Sequence, residues 1–365
     1  MLPDDLLLEI MAHTDFFTLI RCTAVCKHLR RDILSPPFVQ RVIQKTPPYI
    51  LAYLSIYDDW SLTLVHPLMP TAMSLWHDHL SPFISRHAAN LVGEYYYETS
   101  RGGLAVLRRH VGDSNDLCVF DPMTGDLTFL SKPPDVQISI SNVHEYVLLT
   151  AADGIDCSFM LLSIVFNGSS IKVHTATSSS STWGPIACAS HLTSWSISHQ
   201  NDPVVLRGCV IHWLRCTGDQ IVTYEVRTRT PGIVNLPVTG RRATQLHLAT
   251  SPDENLLKLL AIDGFMISVW LQTDSGGWAL ETMIDIEDGL WSLCPRIPAR
   301  TRPNVLVEFQ RSGKRNGDVV LLEVQHMRGG IVLDLEMKEM HTHTGRSLLM
   351  EIDLPSRLQT MKVFS

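Results

Sequence analysis

Apolar side chains follow two different patterns along the chain, and the change falls near residue 45. Through residues 2–42 they recur at intervals of three and four positions, which is the spacing of amphipathic α-helices. From Leu91 onward, short apolar runs alternate with Gly, Pro, Asp, Asn and Ser, as in β-strands joined by turns. The pattern predicts an α+β, multidomain chain in which a small helical module precedes an all-β domain.

The first helix is predicted to begin at Pro3, because a proline in the first turn lacks only an N–H that would have no helical partner. Leu6, Leu7, Ile10 and Met11 then recur at helical spacing. They give this helix one broad apolar face.

A second helix is predicted before Ser35-Pro36-Pro37, which ends it because proline cannot continue a helix. A third, short helix is predicted from Phe38 to Ile43. The apolar seam of the second helix is spaced 3, 4, 3, 4 and consists of Leu19, Cys22, Cys26, Leu29 and Ile33.

Three short helices bury too little apolar surface to be stable by themselves. Their apolar faces therefore need a cover. The rest of the chain could supply it, which would make the helices an ordinary N-terminal cap, or another protein could supply it. Residue spacing alone leaves both interpretations open.

The order of residues within the module is more specific than its periodicity. Leu2-Pro3-x-x-Leu6-Leu7-x-x-Ile10, followed by Leu19-x5-Val25-Cys26-Lys27-x-Leu29-x-x-Asp32, resembles the F-box in pattern and spacing. The resemblance implies that a Skp-family adaptor, itself bound to a cullin scaffold, docks on this module. The residues that it marks as adaptor-facing or core are Leu2, Pro3, Leu6, Leu7, Ile10, Leu19, Val25, Cys26 and Leu29.

A connector is predicted over residues 46–90, between a helical module at 1–45 and a β domain at 91–365. It is expected to contain one buried strand, Tyr49–Leu54, and a short helix that Ser81 caps. After it, strand-like runs arrive every eight to fifteen residues. The clearest runs are 104–107, 117–120, 147–150, 159–165, 204–206, 210–214, 221–226, 258–262, 267–271, 305–309, 319–324 and 331–335.

Weak internal repeats indicate how these strands are arranged. LCVFDPMTGDLTFL (117–130), IVTYEVRTRTPGIVNL (221–236) and IVLDLEMKEMHTHT (331–344) share a strand, a polar turn and a strand. A second form, a strand, a Gly turn and a strand that ends near Trp, is shared by 203–214 and 257–272. Alternating the two forms gives about four strands per 45 to 60 residues, which is the period of a propeller blade.

A β-propeller of five or six blades is therefore predicted, with a β-sandwich or an irregular β domain as the alternative. Closing a propeller removes its sheet edges, so the first or last blade should mix strands from Tyr49–Leu54 and from the C-terminal tail. This region resembles the propeller-like C-terminal part of plant-type F-box proteins, of the kelch or F-box-associated kind. Segments that carry the resemblance include SPFISRHAANLVG, LATSPDENLL and the tail from Leu348.

Composition narrows the partners and the compartment. The chain has 365 residues, 45% of them hydrophobic and 18% charged, and its net charge of −7 argues against coating a nucleic acid. No apolar run is long enough for a membrane span, and no secretory signal is evident. The eight cysteines are scattered, which favours reduced thiols in the cytoplasm or nucleus.

Residues that could carry chemistry are few. His341 and His343 lie on one side of a predicted strand, but no third ligand is indicated, so neither a metal nor a cofactor is expected. The Thr273–Trp278 segment is interpreted as a hairpin turn. Acidic residues near Asp285 are interpreted as a solvated strand end. Two basic segments could hold an acidic partner, although simple exposure is the stronger interpretation for both: Arg241-Arg242, and Arg311 with Lys314 and Arg315.

The sequence therefore predicts a non-catalytic protein. It would be the substrate-recognition adaptor of an SCF-type cullin–RING ubiquitin ligase, with the F-box on the Skp-family adaptor and the β domain on a protein substrate. Two alternatives stay open. One is a scaffold without ubiquitin output, motivated by Leu29 at a position where many F-boxes carry Trp. The other is a propeller enzyme, and no substrate-binding residue is predicted.

Overall fold

The structure is a computed structural model. It describes residues 4–14, 19, 22, 27–35, 37–38, 41, 49–55, 62–63, 91, 94–109, 116–121, 126–134, 143–167, 170–180, 182–190, 197–198, 201–251, 255–310, 319–327, 329–343 and 347–352.

Two helices of the N-terminal module are described, α1 (Asp4–Met11) and α2 (Lys27–Ile33). Residues 19, 22, 37, 38 and 41 are also helical. The α2 helix is the end of the predicted second helix, and residues 37 and 38 fall at the start of the predicted third. The rest of the predicted three-helix arrangement, and the predicted cap at Ser81, lie outside the described residues.

Five four-stranded antiparallel sheets follow, each a meander in which consecutive strands pair. We call them blades 1 to 5. Blade 1 is β3 (Tyr95–Arg101), β4 (Leu104–Arg109), β5 (Leu117–Phe120) and β6 (Leu127–Leu130), and blade 2 is β7 (Val143–Thr150), β8 (Phe159–Asn167), β9 (Ser170–Thr177) and β10 (Ala187–Ser190). Blade 3 is β11 (Val204–Leu206), β12 (Val210–Leu214), β13 (Gln220–Glu225) and β14 (Thr230–Asn235), and blade 4 is β15 (Leu246–Thr250), β16 (Leu257–Asp263), β17 (Met266–Gln272) and β18 (Trp278–Asp285). Blade 5 is β19 (Val307–Phe309), β20 (Val319–Val324), β21 (Gly330–Asp334) and β22 (Met340–His343).

The second strand of each described blade is buried on both of its faces, which explains the nearly continuous apolar runs in the sequence. Successive residues of a strand point to opposite faces, so in β8 Leu161 joins the core shared with blade 1 and Leu162 the core shared with blade 3. Leu259 and Leu260 of β16 divide in the same way between blades 3 and 5. Every pair of successive blades thus shares one apolar cluster.

The first strands of the blades lie side by side. β3 lies against β7, β11 against β15, and β15 against β19. A ring of sheets whose first strands meet near one axis is a β-propeller, and a sandwich would instead stack two sheets face to face. The propeller prediction is confirmed, with five four-stranded blades.

A sixth, three-stranded sheet joins the first two described strands of the chain to the last one. β1 (Tyr49–Ser55) pairs with β2 (Leu62–Thr63) on one side and with β23 (Ser347–Ile352) on the other. β23 also lies against β3 of blade 1. A strand near Tyr49 and the C-terminal tail do share one sheet, as predicted, but the sheet is separate from blades 1 and 5. Pairing these strands leaves fewer open sheet edges.

Of the two repeat forms predicted from the sequence, the first matches the blades and the second does not. All three copies of the first form are the third and fourth strands of their blades: β5–β6, β13–β14 and β21–β22. The equivalence of the second form was wrong, because 203–214 holds strands one and two of blade 3, whereas 257–272 holds strands two and three of blade 4. The cause is β15 (Leu246–Thr250), a first strand that the sequence analysis missed.

The acidic segment near Asp285 joins the last strand of blade 4 to a short helix. Asp285 is the last residue of β18, and Glu287 and Asp288 form the first turn of a helix, α3 (Glu287–Leu293). The Asp285 side chain accepts a hydrogen bond from the Glu287 N–H at 2.9 Å. These carboxylates therefore stabilise the start of a helix, where the dipole is positive, and α3 packs on the outer strand β22.

Candidate adaptor-binding surface

Helix α1 carries two large apolar side chains in solvent. Leu6 is 52% exposed and Ile10 is 50% exposed. They are four residues apart, so they lie one above the other on the same face of the helix. Met11 is buried, and Leu7 is half-buried. Met11 is thus buried within the helical module, whereas Leu6 and Ile10 form an apolar pair that faces outward.

The polar side of α1 is fastened to the other end of the module. The Nη2 atom of Arg41 donates to both carboxylate oxygens of Glu9, at 2.7 and 2.6 Å. This hydrogen bond holds the pKa of Glu9 below its ordinary value. Thr14 ends the helix by donating from its Oγ1 to the Met11 carbonyl at 2.8 Å. The orientation of α1 is therefore fixed by contacts that do not use Leu6 or Ile10.

The predicted adaptor-facing residues divide into different environments. Leu19 is fully buried, so it belongs to the module's core, together with Ile33 and Phe38. Leu29 on α2 is half-buried. Four of the predicted residues lie outside the described part of the chain or have side chains outside it, namely Leu2, Pro3, Val25 and Cys26. A role in adaptor binding stays a prediction for all nine.

One histidine of the pair in β22 lies near a carboxylate. His341 Nε2 lies 3.9 Å from a carboxylate oxygen of Glu339. Among the residues that the structure describes, no three His, Cys, Asp or Glu side chains come together as a metal site. No described helix has the length and apolar character needed to cross a membrane.

The Thr273–Trp278 segment is the hairpin turn between β17 and β18, as predicted. The Gly276 N–H donates to the Thr273 carbonyl at 2.8 Å, and Gly276 has a φ of +81°. Trp278 packs partly buried against the core between blades 3 and 4, and its Nε1–H donates to the Asn235 carbonyl at 2.9 Å. These contacts account for the motif without any chemistry.

Of the two basic segments noted in the sequence, Arg241-Arg242 lies within the described residues. Arg241 donates to Asp263 Oδ2 at 2.6 Å, so its charge is already paired. Arg311, Lys314 and Arg315 lie outside the described residues.

A buried ion pair near the axis was missed by the sequence analysis. Arg101, the last residue of β3, donates from Nε to Asp153 Oδ2 at 2.8 Å and from Nη2 to Oδ1. Its Nη2 also reaches the Val205 carbonyl at 3.2 Å, and the Thr150 N–H donates to Asp153 Oδ2 at 2.8 Å. Because these residues come from blades 1, 2 and 3, the pair fastens three first strands together. No sequence pattern links residues 52 positions apart, so only the fold could reveal it.

Comparison with known families identifies both regions. Residues 1–40 match the F-box domain. Residues 71–364, most of the chain, match a family described as a domain of unknown function, DUF7595. The chain belongs to the DUF7595 family. It is thus an F-box protein with a propeller of that family, which agrees with the F-box and propeller parts of the resemblance noted in the sequence. The plant-type and kelch-like parts of that resemblance stay predictions. F-box domains generally bind Skp-type adaptors in SCF complexes.

Solved structures with similar backbones are remote in sequence. A chain of the mitotic checkpoint complex shows 12% identity and a TM-score of 0.36, and the match covers 67% of this chain and 61% of that one. A protein from Lactobacillus plantarum shows 12% identity and a TM-score of 0.39, over 71% and 70% of the two chains. YCF48 bound to D1 peptide shows 10% identity and a TM-score of 0.37, over 73% and 69%. No curated protein matches the chain.

Proposed function

We propose that this protein is the substrate-recognition adaptor of an SCF-type cullin–RING ubiquitin ligase in the cytoplasm or nucleus. Its F-box would bind a Skp-family adaptor, and through it a cullin scaffold, while the propeller would bind a protein substrate. The mechanism is tethering, which raises the effective concentration of the substrate beside the ubiquitin-charged enzyme. No side chain of this protein needs to take part in the chemistry.

The exposed pair Leu6 and Ile10 is the observation that carries the adaptor role. Apolar side chains four positions apart on a helix are the anchors with which amphipathic helices enter a partner's groove. Large apolar side chains left in water cost free energy unless a partner covers them. The ion pair between Glu9 and Arg41 holds α1 in place, so little ordering entropy would oppose docking through this face.

The test is calorimetric titration of a Skp-family adaptor into the full-length chain and into the Leu6→Ala/Ile10→Ala variant. We expect affinity to fall by about tenfold to a thousandfold, because buried apolar anchors dominate such interfaces. The matched control is Leu280→Ala/Met283→Ala. Those two residues are 47% and 52% exposed on β18 of the propeller, and their loss should leave adaptor affinity unchanged.

Equal affinity for the wild type and the α1 variant would contradict the proposed docking face. A second assay separates the ligase from a scaffold without ubiquitin output. In a reconstituted reaction with cullin, RING protein and charged conjugating enzyme, proteins that co-purify with the propeller should become ubiquitylated. A stable adaptor complex that modifies none of them would favour the scaffold.

A further inference from the structure

Two neighbouring hairpin turns of blade 3 carry three exposed arginines. The turn between β11 and β12 holds Arg207, and the turn between β13 and β14 holds Arg227 and Arg229. The turns are adjacent because the Val226 N–H donates to the Cys209 carbonyl at 3.1 Å. We call Arg207, Arg227 and Arg229 the arginine corner.

One guanidinium of the corner is held in position by the neighbouring blade. Arg227 Nη2 donates to the Gly154 carbonyl at 2.9 Å. Gly154 has a φ of +79°, and a Cβ built on it would lie 3.0 Å from that same Nη2 atom. Glycine thus supplies both the backbone conformation and the space that Arg227 occupies. The remaining N–H groups of Arg227 are oriented before any ligand arrives, which reduces the entropy lost on binding.

The backbone of the corner is also unusual at Arg229, whose φ is +58°. A non-glycine residue in the left-handed region costs about 1 kcal/mol or more. Asn, Asp or Gly would fill this turn position with less strain. Lys338 has a φ of +56° at the matching position of the turn between β21 and β22. The conformation therefore belongs to these hairpin turns, and it is the arginine side chains that point to a ligand.

Two carboxylates on blade 3 and on the blade 2 segment beside the corner have partners of their own. Asp153 is occupied by Arg101. Glu225 accepts a hydrogen bond from Thr228 Oγ1 at 2.8 Å, and Asp156 is exposed. Within the described part of the chain, none of the three corner guanidiniums lies within ion-pair distance of a carboxylate.

Pairing is common for other arginines of this acidic protein. Arg241 with Asp263 and Arg109 with Glu94 are two examples at the surface. A chain with a net charge of −7 has many carboxylates that could have neutralised the corner. Three unneutralised guanidiniums on adjoining turns therefore form a local positive site on a negative molecule.

We infer that the arginine corner binds an anionic segment of a protein partner. The shared chemistry is an array of anionic oxygens, supplied by a phosphoester or by consecutive carboxylates, because the planar fork of Arg pairs two N–H donors with two such oxygens. The identification of that partner as a substrate rests on the proposed function. The anion site itself does not, since it involves no part of the F-box.

The test uses the full-length chain without any adaptor. Fluorescence anisotropy measures binding of three labelled peptides of equal length: polyglutamate, a serine–glycine peptide that carries phosphoserines, and the same peptide unphosphorylated. The variant is Arg207→Glu/Arg229→Glu, which leaves the Arg227 bond to blade 2 in place. The control is Arg296→Glu/Arg300→Glu, which reverses the same amount of charge at exposed arginines before blade 5. Circular dichroism checks that all the proteins are folded.

At least one anionic peptide should bind more tightly than the unphosphorylated peptide, and the corner variant should weaken it by about tenfold or more. A preference between polyglutamate and the phosphopeptide would identify the source of the anions. Equal loss in the corner and control variants would overturn the proposal, because net charge would then explain the binding. The proposal would also be overturned if neither anionic peptide bound. Duplex DNA and anionic vesicles are measured in the same way, and tighter binding of either one through the same arginines would contradict a protein partner.

Failure of this test leaves the adaptor titration untouched, because that titration depends on α1. The Gly154→Ala variant is a second test of the arginine corner. Its Cβ would displace Arg227, so we expect weaker peptide binding than in the wild type, while the adaptor affinity stays the same.

Discussion

The helical module and the propeller use the same apolar residue types in opposite ways. In α1, Leu6 and Ile10 are about half exposed, whereas in the propeller Leu260 and Leu322 are fully buried between blades 4 and 5. Both regions are apolar enough in sequence to suggest a core. The difference lies in what the structure places next to each side chain.

This contrast teaches that apolar periodicity specifies a face, but not the molecule that covers it. The propeller covers much of its own apolar surface, because successive blades share apolar clusters. A module of a few short helices has more apolar surface than its own interior can cover. Its surplus is therefore available to another protein, and the comparison can be tested by mutating one region at a time.

The largest effect on folding should come from the buried ion pair of the propeller. Asp153→Ala would leave Arg101 charged, buried and without its carboxylate, which typically costs about 3–5 kcal/mol. We expect the free energy of unfolding to fall by that amount in urea titrations followed by tryptophan fluorescence. A double variant, Arg101→Met/Asp153→Ala, should recover part of the loss, and an unchanged midpoint for Asp153→Ala would show that the pair does not fasten the blades.

A nearly equal effect should follow from the same substitution made in both regions. Leu260→Ala removes a fully buried side chain between blades 4 and 5, so it should lower the free energy of unfolding by about 2–5 kcal/mol. Leu6→Ala should change it by less than about 0.5 kcal/mol, because that side chain is already half exposed. Equal losses at the two sites would show that Leu6 belongs to an intramolecular core.

Acid should weaken the propeller through two buried histidines. Burial lowers the pKa of His144 to about 4, with Arg108 adding to the effect, and burial likewise lowers the pKa of His212 to about 4. Unfolding would return both to about 6.5, so between pH 6.5 and pH 4 the unfolded chain takes up more protons than the folded one. Stability is then complete above pH 6.5 and falls as the pH drops, by about 2 kcal/mol per histidine at pH 5.

Urea titrations at pH 7 and pH 5 would check this expectation. His144→Gln keeps a polar group beside Ser163, whose Oγ lies 2.9 Å from His144 Nε2, but it cannot take up the proton. The variant should therefore lose less stability between the two pH values than the wild type. An identical drop in both proteins would assign the acid sensitivity to other groups.

The smallest effect is expected at the propeller's surface. The hydrogen bond from Arg241 lowers the pKa of Asp263, but the carboxylate is largely solvated. Asp263→Asn should therefore cost less than about 1 kcal/mol, and less still at high salt. A loss as large as that of Asp153→Ala would remove the distinction between buried and exposed pairs.

The second strand of every described blade was predicted from the sequence, whereas β15 among the first strands and β18 among the outer strands were missed. β8 (Phe159–Asn167) is a continuous apolar run because blades pack on both of its faces. β18 (Trp278–Asp285) reads WALETMID, and most of its residues are half-buried or exposed, so its apolar signal is weak. The short helix α3 (Glu287–Leu293) was missed for a related reason, since a seven-residue helix containing Gly289 gives little periodicity.

The candidate sites also differ in how far the sequence could predict them. Leu6 and Ile10 were predicted because an F-box places its residues at fixed offsets along a single helix. Arg101 with Asp153, and Arg227 with Gly154, depend on contacts between blades that are distant in sequence. The local signal for the corner was an arginine pair, Arg227 and Arg229, in the turn where the first copy of the repeat carries Pro122 and Gly125.

Amide hydrogen exchange of the full-length chain, with and without a Skp-family adaptor, tests the central contrast most directly. The account predicts that the adaptor slows exchange in α1 (Asp4–Met11) and leaves β8 and β16 as protected as they are in the free chain. Exchange in α1 that is already as slow as in those strands, or that the adaptor does not change, would show that the module's apolar face has its cover within the chain.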